Sequence, residues 1–405
     1  MDHSAAALSH SAVPSVILPG NVSLCYPRGM LEDDIPLWRA IGRSVGEPGA
    51  KVVGWTRNTF GDGFADAVAG GAGLILHTGT AMTSDGERQY QIVEKICRVL
   101  PSGLEPKSWL YWKREALAYD SGFLEDIAVG LRPPKCFGVA FTDEPSARLF
   151  IEAVSDPQPV WTTDTYGRAA EALGIFNAHC AGMPDIERHR WMAGGRAHSW
   201  TAIAADLLRD PEGLKNDRVA SRWLAGSNLE RTFDLWRNLG VLQRALADLP
   251  KCFCHHDAFK RNLLFHQVND VAAEIVAIDW AFAGHGVIGE EIAAMIGASL
   301  MFFEIQPDAA NDTIEVVFQG YLRGLEMSGW TGSPTDVRMG FCATTAMMFA
   351  VGALGPWLPL LQDEDLSSVV TSIAGAEPDP FIDNLSEIHR HFLALGEEAM
   401  ELAGA

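Results

Sequence analysis

Residues 251–292 read KCFCHHDAFKRNLLFHQVNDVAAEIVAIDWAFAGHGVIGEEI and hold His255, Asp257 and Asn262 in the spacing H-x-D-x-x-x-x-N, with Asp279 further on. A carboxylate that can take a proton, plus an amide and a second carboxylate that can share a divalent cation, is the smallest set of groups able to move a phosphoryl group. Such groups work only if the backbone brings them together. Two β-type runs, 263–265 and 274–278, flank a turn containing Asn269 and Asp270, so a hairpin is expected to return Asp279 toward Asn262.

The rest of the chain has to supply a frame for that stretch. With 405 residues, 48% of them hydrophobic and 20% charged, it has material for a packed core and more length than one core usually supports, so two lobes sharing a cleft are expected. A formal charge of −21 argues against a nucleic-acid partner and suits a cationic small substrate, although an acidic surface serves solubility as well. The seven cysteines are scattered and odd in number, which gives no disulfide framework. Cys252 and Cys254 alternate onto one face of a strand, as buried apolar residues would. The N-terminal residues lack the basic start of a signal peptide and read as a loose arm. The uncharged run 339–354 meets Gly355 and Pro356 short of the roughly 20 residues that a membrane span requires, so a buried helix and a cytoplasmic protein without membrane segments are expected.

Upstream, residues 31–45 have acidic residues in the first turn and Arg43 in the last, the charge order of a helix. Strands are predicted at 51–60, 74–82 and 89–98, with a connection at 61–73 whose Gly61, Gly63, Gly70, Gly71 and Gly73 would let backbone N–H groups approach a polyphosphate. Alternation from Tyr90 puts Glu94 and Lys95 on opposite faces, so one of the two charges must meet the covered side of the sheet. An inward lysine needs an anion. An amphipathic helix from Ser108, with Trp109, Trp112, Ala116, Tyr119 and Phe123 on one face, would hold Glu115 within reach of Lys95. Strands at 136–141 and 147–154 complete a small lobe, and 155–159 breaks the pattern as a hinge. Helices follow at 164–180, 200–208, 217–223, 229–249, 290–303, 312–327, 336–354 and 382–402. The division is an arm at 1–30, an N-lobe at 31–155 and a C-lobe at 156–405.

This order, a β-rich lobe with Lys95, a helix with Glu115, a linker, H-x-D-x-x-x-x-N and then Ile278-Asp279-Trp280, resembles the aminoglycoside phosphotransferase and choline kinase-like family of the kinase superfold, over roughly residues 50 to 300. The resemblance implies an α+β, bilobal protein-kinase-like fold, with a small β-sheet N-lobe carrying one main helix and a larger, mostly helical C-lobe. It implies that Asp257 orients the substrate hydroxyl and accepts its proton, and that Asn262 and Asp279 hold Mg²⁺ against the β- and γ-phosphates. Such hard oxygen donors suit Mg²⁺. It implies further that Lys95, held by Glu115, contacts the α- and β-phosphates of ATP, with GTP left open, and that the segment from Glu152 to Val154 offers backbone contacts to the base. His255 would brace the loop. Two positions depart from the family: His256 stands where glycine or another small residue is common, and Glu291 stands where aspartate is common while keeping a carboxylate that can structure the loop. Lys260 and Arg261 either steady the transferring charge or form a solvated basic pair.

The residues therefore favour an ATP-dependent small-molecule kinase acting on a hydroxyl. Aminoglycosides, other antibiotics, amino sugars and amino alcohols are the candidate acceptors, and Glu290, Glu291, Glu304, Asp308, Asp312 and Glu315 are available to an amino-substituted one. The alternative is a non-catalytic nucleotide-binding regulatory protein of the same shape. A kinase acting on proteins is disfavoured, because no activation segment fits between Asp279 and Glu291.

Overall fold

In the stretch expected to be a loose arm, β1 (Ser15–Ile17) pairs antiparallel with β2 (Ser23–Cys25). Helix α1 (Ile35–Ser44) starts with Pro36 in its first turn, where a missing N–H costs nothing, and has Arg43 in its last. Next come β3 (Lys51–Phe60), β4 (Leu74–Thr83), β5 (Gly86–Arg98), the short helices α2 (Arg114–Asp120) and α3 (Phe123–Asp126), then β6 (Cys136–Phe141) and β7 (Ser146–Glu152). These five strands make one antiparallel sheet in the order β3-β4-β5-β7-β6. The computed structural model describes residues 15–17, 23–25, 34–60, 73–99, 103–142, 146–156, 160–181, 183, 189–268 and 273–404. The glycine-rich connection 61–72 and the turn residues Asn269 and Asp270 lie outside them.

The sheet is covered on both faces, which alters the reading of β5. Tyr90 and Ile92 pack with Leu37, Trp38 and Ile41 of α1, whereas Cys97 packs with Ala116 of α2 and Ala147 of β7 on the other face. Alternation does separate Glu94 from Lys95, but each meets a covered side: Glu94 is 2% exposed and the Lys95 side chain 14%. One helix was expected over this sheet; α1 and α2 divide the work.

Helix α2 is also shorter than predicted. The helix expected from Ser108 begins at Arg114, because the buried Arg114 guanidinium takes the carbonyls of Pro106 (3.0 Å), Ser108 (2.6 Å) and Trp109 (3.0 Å). Helical bonds would have claimed those acceptors, and the side chain competes for them.

The C-terminal part is mostly helical. It contains α4 (Thr163–Ala181), α5 (Arg196–Ala204), α6 (Pro211–Asn216), α7 (Arg218–Trp223), α8 (Asn228–Arg237) and α9 (Leu239–Ala247). Strands β8 (Lys251–Cys254), β9 (Leu263–Gln267), β10 (Ala273–Ala277) and β11 (Gly284–Val287) carry the motifs. Then come α10 (Glu291–Met301), α11 (Ala310–Met327), α12 (Pro334–Thr345), a π-helical stretch (Ala346–Gly352), α13 (Leu354–Gln362), α14 (Ser367–Ala374) and α15 (Pro378–Leu402). The arrangement is α+β and two-lobed, as expected.

Two helices differ from expectation for physical reasons. The one predicted at 229–249 divides at Asn238, whose Nδ2 bonds the Asp234 carbonyl at 2.9 Å and ends the ladder of α8. The run predicted to stop at Gly355 and Pro356 continues, so that residues 334–362 form a stretch long and apolar enough to cross a membrane; 94% of its apolar window is buried inside the protein, which identifies it as core. Burial, and not length, decides its character.

Helices α4 and α11 pack with their backbones in close contact. A Cβ added at Gly174 would lie 2.2 Å from the Tyr321 carbonyl, and one at Gly324 would lie 2.0 Å from that of Glu171, so backbones touch where only glycine fits. This contact seats a buried chain of hydrogen bonds. Gly289 N–H donates to Tyr321 Oη (3.2 Å), Tyr321 O–H donates to Asn177 Oδ1 (2.7 Å), and Asn177 Nδ2 donates to the Phe253 carbonyl (2.9 Å). The network ties β8 to the loop leaving β11, the two ends of the motif stretch, and each polar atom in the series has a partner.

Candidate active site

The expected hairpin forms. Leu263 pairs with Ala277, and the next residues join through Ile278 N–H to the Asn262 carbonyl at 2.9 Å, which sets Asn262 beside Asp279. On the opposite side, Lys95 reaches down from β5. Its ammonium lies 2.6 Å from Glu115 Oε2 and 2.7 Å from Asp279 Oδ1, joining strand, helix and hairpin in one charge cluster. Glu115 also accepts from Trp280 N–H at 3.2 Å through Oε1.

The electrostatics of this cluster are those of two carboxylates sharing one ammonium. Burial alone would lower the pKa of Lys95, but Asp279 and Glu115 more than reverse it and raise it. Burial lifts Glu115 above the usual carboxylate range despite Lys95. The Asp279 side chain is 41% exposed, and there Lys95 overcomes the effect of burial and holds its pKa low. The two carboxylates are thus shifted in opposite directions, Glu115 by burial and Asp279 by Lys95.

Asp257 and Asn262 form the second group. Asn262 Nδ2 donates to the Asp257 carbonyl (2.9 Å) and to its Oδ2 (3.0 Å), which commits the nitrogen end of the amide and leaves its oxygen as the donor atom for a ligand. A hard-oxygen pair, Asn262 Oδ1 and the Asp279 carboxylate, fits the few protein donors that Mg²⁺ uses beside phosphate oxygens and water.

Braces behind the loop account for His256 and Glu291, the two residues that differ from the pattern the motifs resemble. Glu291 is fully buried and accepts the N–H groups of His255 (2.7 Å) and His256 (3.0 Å), so the carboxylate structures the loop as expected for that position. His256 has φ +62, the left-handed conformation for which glycine is the ordinary residue. It is held there by the His285 carbonyl (3.1 Å) and by Glu290 (3.4 Å); burial disfavours its charge, but Glu290 outweighs burial and raises its pKa. Asp279 also has φ +61, and among the described residues only Phe303 is a third non-glycine with positive φ. Strained backbone clusters where function over-determines it. His255 joins the two motifs: Nε2 donates to the Ile278 carbonyl at 2.9 Å and Nδ1 accepts from Asp257 N–H at 3.2 Å. Burial depresses its pKa, which suits the neutral form these bonds require.

Glu152 ends β7 with its carboxylate clamped by Arg132 (2.7 and 3.2 Å), and its N–H is committed to the Lys135 carbonyl at 2.9 Å, so its own N–H is spent within the lobe. Val154 lies just past β7 and is half-buried. Arg261 turns away from the cleft to Glu304 (2.9 Å) and the Ile373 carbonyl (2.7 Å). Of the acidic residues expected to face an amine, Glu290 and Glu291 are the buried braces, Glu304 is tied to Arg261, and Asp308, Asp312 and Glu315 lie on the exposed side of their helices.

Two arginines had no signal in the sequence beyond their type. Besides the carbonyls that shorten α2, Arg114 bonds those of Trp191 (2.9 Å) and Ala281 (2.8 Å), so it fastens the helix of Glu115 to the segment after Asp279; burial pulls its pKa down to about 10. Arg196, the first residue of α5, donates Nη1 to Asp257 Oδ1.

Comparison with known proteins follows the same outline. Residues 153–327 match the sequence model of the phosphotransferase enzyme family, so the resemblance drawn from the motifs holds across this segment. Among solved structures, the chain is similar to a choline kinase from Cryptosporidium parvum, with 12% identity, a TM-score of 0.47, and coverage of 86% of this chain and 90% of that one. It is also similar to an aminoglycoside phosphotransferase from Alicyclobacillus acidocaldarius, with 12% identity, a TM-score of 0.46, and coverage of 85% and 92%. A third is an amicoumacin kinase in complex with AMP-PNP and Ca²⁺, with 13% identity, a TM-score of 0.44, and coverage of 80% and 88%. No curated protein matches the chain.

Proposed function

We propose, on the match of residues 153–327 to the phosphotransferase enzyme family, an ATP-dependent kinase that transfers the γ-phosphoryl group to a hydroxyl of a small molecule. The observation that carries this reading is Lys95, held between Glu115 and Asp279 at 2.6 and 2.7 Å. A cation fixed by one carboxylate from each lobe is a receptor for a polyphosphate that spans the cleft. Lys95 binds the phosphates and Glu115 keeps it aimed. Asn262 holds the Asp257 side chain in one orientation, and Asp257 aligns the acceptor hydroxyl and takes its proton. Asn262 and Asp279 are the residues that would hold Mg²⁺, which when bound offsets the negative charge of the phosphates. The base would lie near Val154 and the carbonyl side of Glu152, and the choice between ATP and GTP rests there.

The test is to incubate the purified protein with Mg-ATP and a panel of hydroxylated aminoglycosides, other antibiotics, amino sugars and amino alcohols, together with sugar acids, and to detect added phosphate by mass spectrometry. Asp257→Asn should lower the turnover of any product-forming member by about 10³-fold while nucleotide affinity stays within about threefold. Full turnover in that variant removes Asp257 from the role. Nucleotide binding without turnover on every member would favour a regulatory protein of the same shape.

A further inference from the structure

Asp257 has a neighbour that phosphoryl transfer by itself does not require. Arg196 donates Nη1 both to Asp257 Oδ1 and to the His256 carbonyl, the latter at 3.2 Å. Its guanidinium lies between aromatic faces, 4.3 Å from the Phe282 ring centroid and 4.7 Å from that of Trp200. Trp109 backs this clamp, stacked on Phe282 at 5.5 Å and edge-on to Trp200 at 6.0 Å. Arg196 Nε is buried there and has no hydrogen-bond partner. The helix that delivers Arg196 is seated on the π-helical stretch, where a Cβ at Gly352 would lie 2.8 Å from Trp200 Cβ and where Phe349 meets Trp200 at 6.2 Å. Widened helical turns of this kind recur at functional sites.

Both oxygens of the candidate base are therefore engaged, Oδ2 by Asn262 and Oδ1 by Arg196. When Asp257 takes the acceptor's proton its carboxylate becomes neutral, and the guanidinium loses counter-charge within aromatic walls, where an unpaired charge is costly. An anionic group on the acceptor restores the pairing, and the fork of a guanidinium matches a carboxylate in two bonds. An ammonium at the same place would face a fixed cation. Resting on the phosphotransfer reading, we propose that Arg196 is a specificity-determining residue that binds a carboxylate on the acceptor, and that the acceptors are hydroxy acids. The amino-substituted acceptors suggested by the acidic composition are the disfavoured class, in keeping with the commitment of Glu290, Glu291 and Glu304 to internal partners.

The experiment uses the full chain saturated with Mg-AMP-PNP and matched probes: sugar acids, their primary amides and the corresponding amino sugars, titrated by calorimetry. The carboxylate member of a matched set should bind at least about tenfold more tightly than its amide, and more tightly than its amine. Arg196→Met should abolish that preference while changing amide affinity by less than about threefold, and Arg196→Lys should retain part of it. Tighter binding of the amines, no binding of any carboxylate, or an unchanged carboxylate-to-amide ratio in a folded Arg196→Met protein overturns the proposal. Should Arg196→Met not fold, the wild-type ranking and Arg196→Lys decide alone. Turnover of the same probes with Mg-ATP judges the kinase reading separately: phosphorylation of amines in preference to acids sinks only the specificity proposal, whereas failure to bind nucleotide sinks the kinase reading.

Discussion

Glu94 and Lys95 are adjacent on β5 and end in opposite kinds of chemistry. Glu94 points toward α1 and meets His77 (2.8 Å) and Arg148 (2.6 Å), partners from the same sheet. His77 in turn accepts at Nδ1 from Trp55 Nε1–H at 3.1 Å, a further partner from the same sheet. Lys95 points the other way and takes one partner from the lobe and another, Asp279, from 184 residues further along. The closed cluster stabilises a fold. The open one is completed by a residue from a distant part of the chain. Both side chains are charged, largely buried and adjacent in the chain, and the origin of their partners is what distinguishes them.

That contrast can be broken by substitution. Lys95→Met should lower turnover by roughly 10²- to 10³-fold and weaken nucleotide binding, read by kinetics and by nucleotide titration, with little change in the unfolding midpoint. Glu94→Ala should do the reverse: it leaves His77 and Arg148 without their shared anion and costs about 3 kcal/mol in urea unfolding, with turnover within about threefold. If Glu94→Ala costs more activity than Lys95→Met, the division between closed and open clusters fails.

A smaller effect sharpens the same distinction at a purely structural site. His389 is buried, donates Nε2–H to Thr232 Oγ1 at 2.8 Å, and has its pKa lowered to about 3 by burial and by Arg231. Because the unfolded chain binds this proton near 6.5 and the folded chain does not, the stabilisation is full above that pH and declines as pH falls toward 3. Between pH 6.5 and 5 the loss should approach about 2 kcal/mol, and His389→Gln should flatten it, as measured by urea midpoints at each pH. His256, with its raised pKa, has the opposite sign, contributing below about 6.5 and fading above its folded value, so the comparison of variant with wild type isolates His389.

Much of the site was legible because its signals are local. The H-x-D-x-x-x-x-N spacing lies within one loop, and period-two alternation with a turn sets the register that returns Asp279 to Asn262. The partnership of Lys95 with Glu115 could be expected because an inward lysine requires an anion and the next helix offers Glu115. Arg114 and Arg196 were not legible. A guanidinium that collects five carbonyls, or one clamped between Trp200 and Phe282, depends on groups with no shared spacing in the chain. For the same reason the sequence suggested a helix from Ser108 where Arg114 dismantles its first turns.

What the sequence by itself determined is the chemistry available: the kinds of groups, their order and the local turns that pair them. Tertiary structure decided which acids are braces and which face the cleft, that both faces of the sheet are covered, that residues 334–362 belong to the core, and that a cation stands on the candidate base. The physical reason is that charge and hydrogen bonding act over a few ångströms of space, and the packing of α4 against α11 and of α5 against the π-helical stretch sets those distances between residues far apart in the chain.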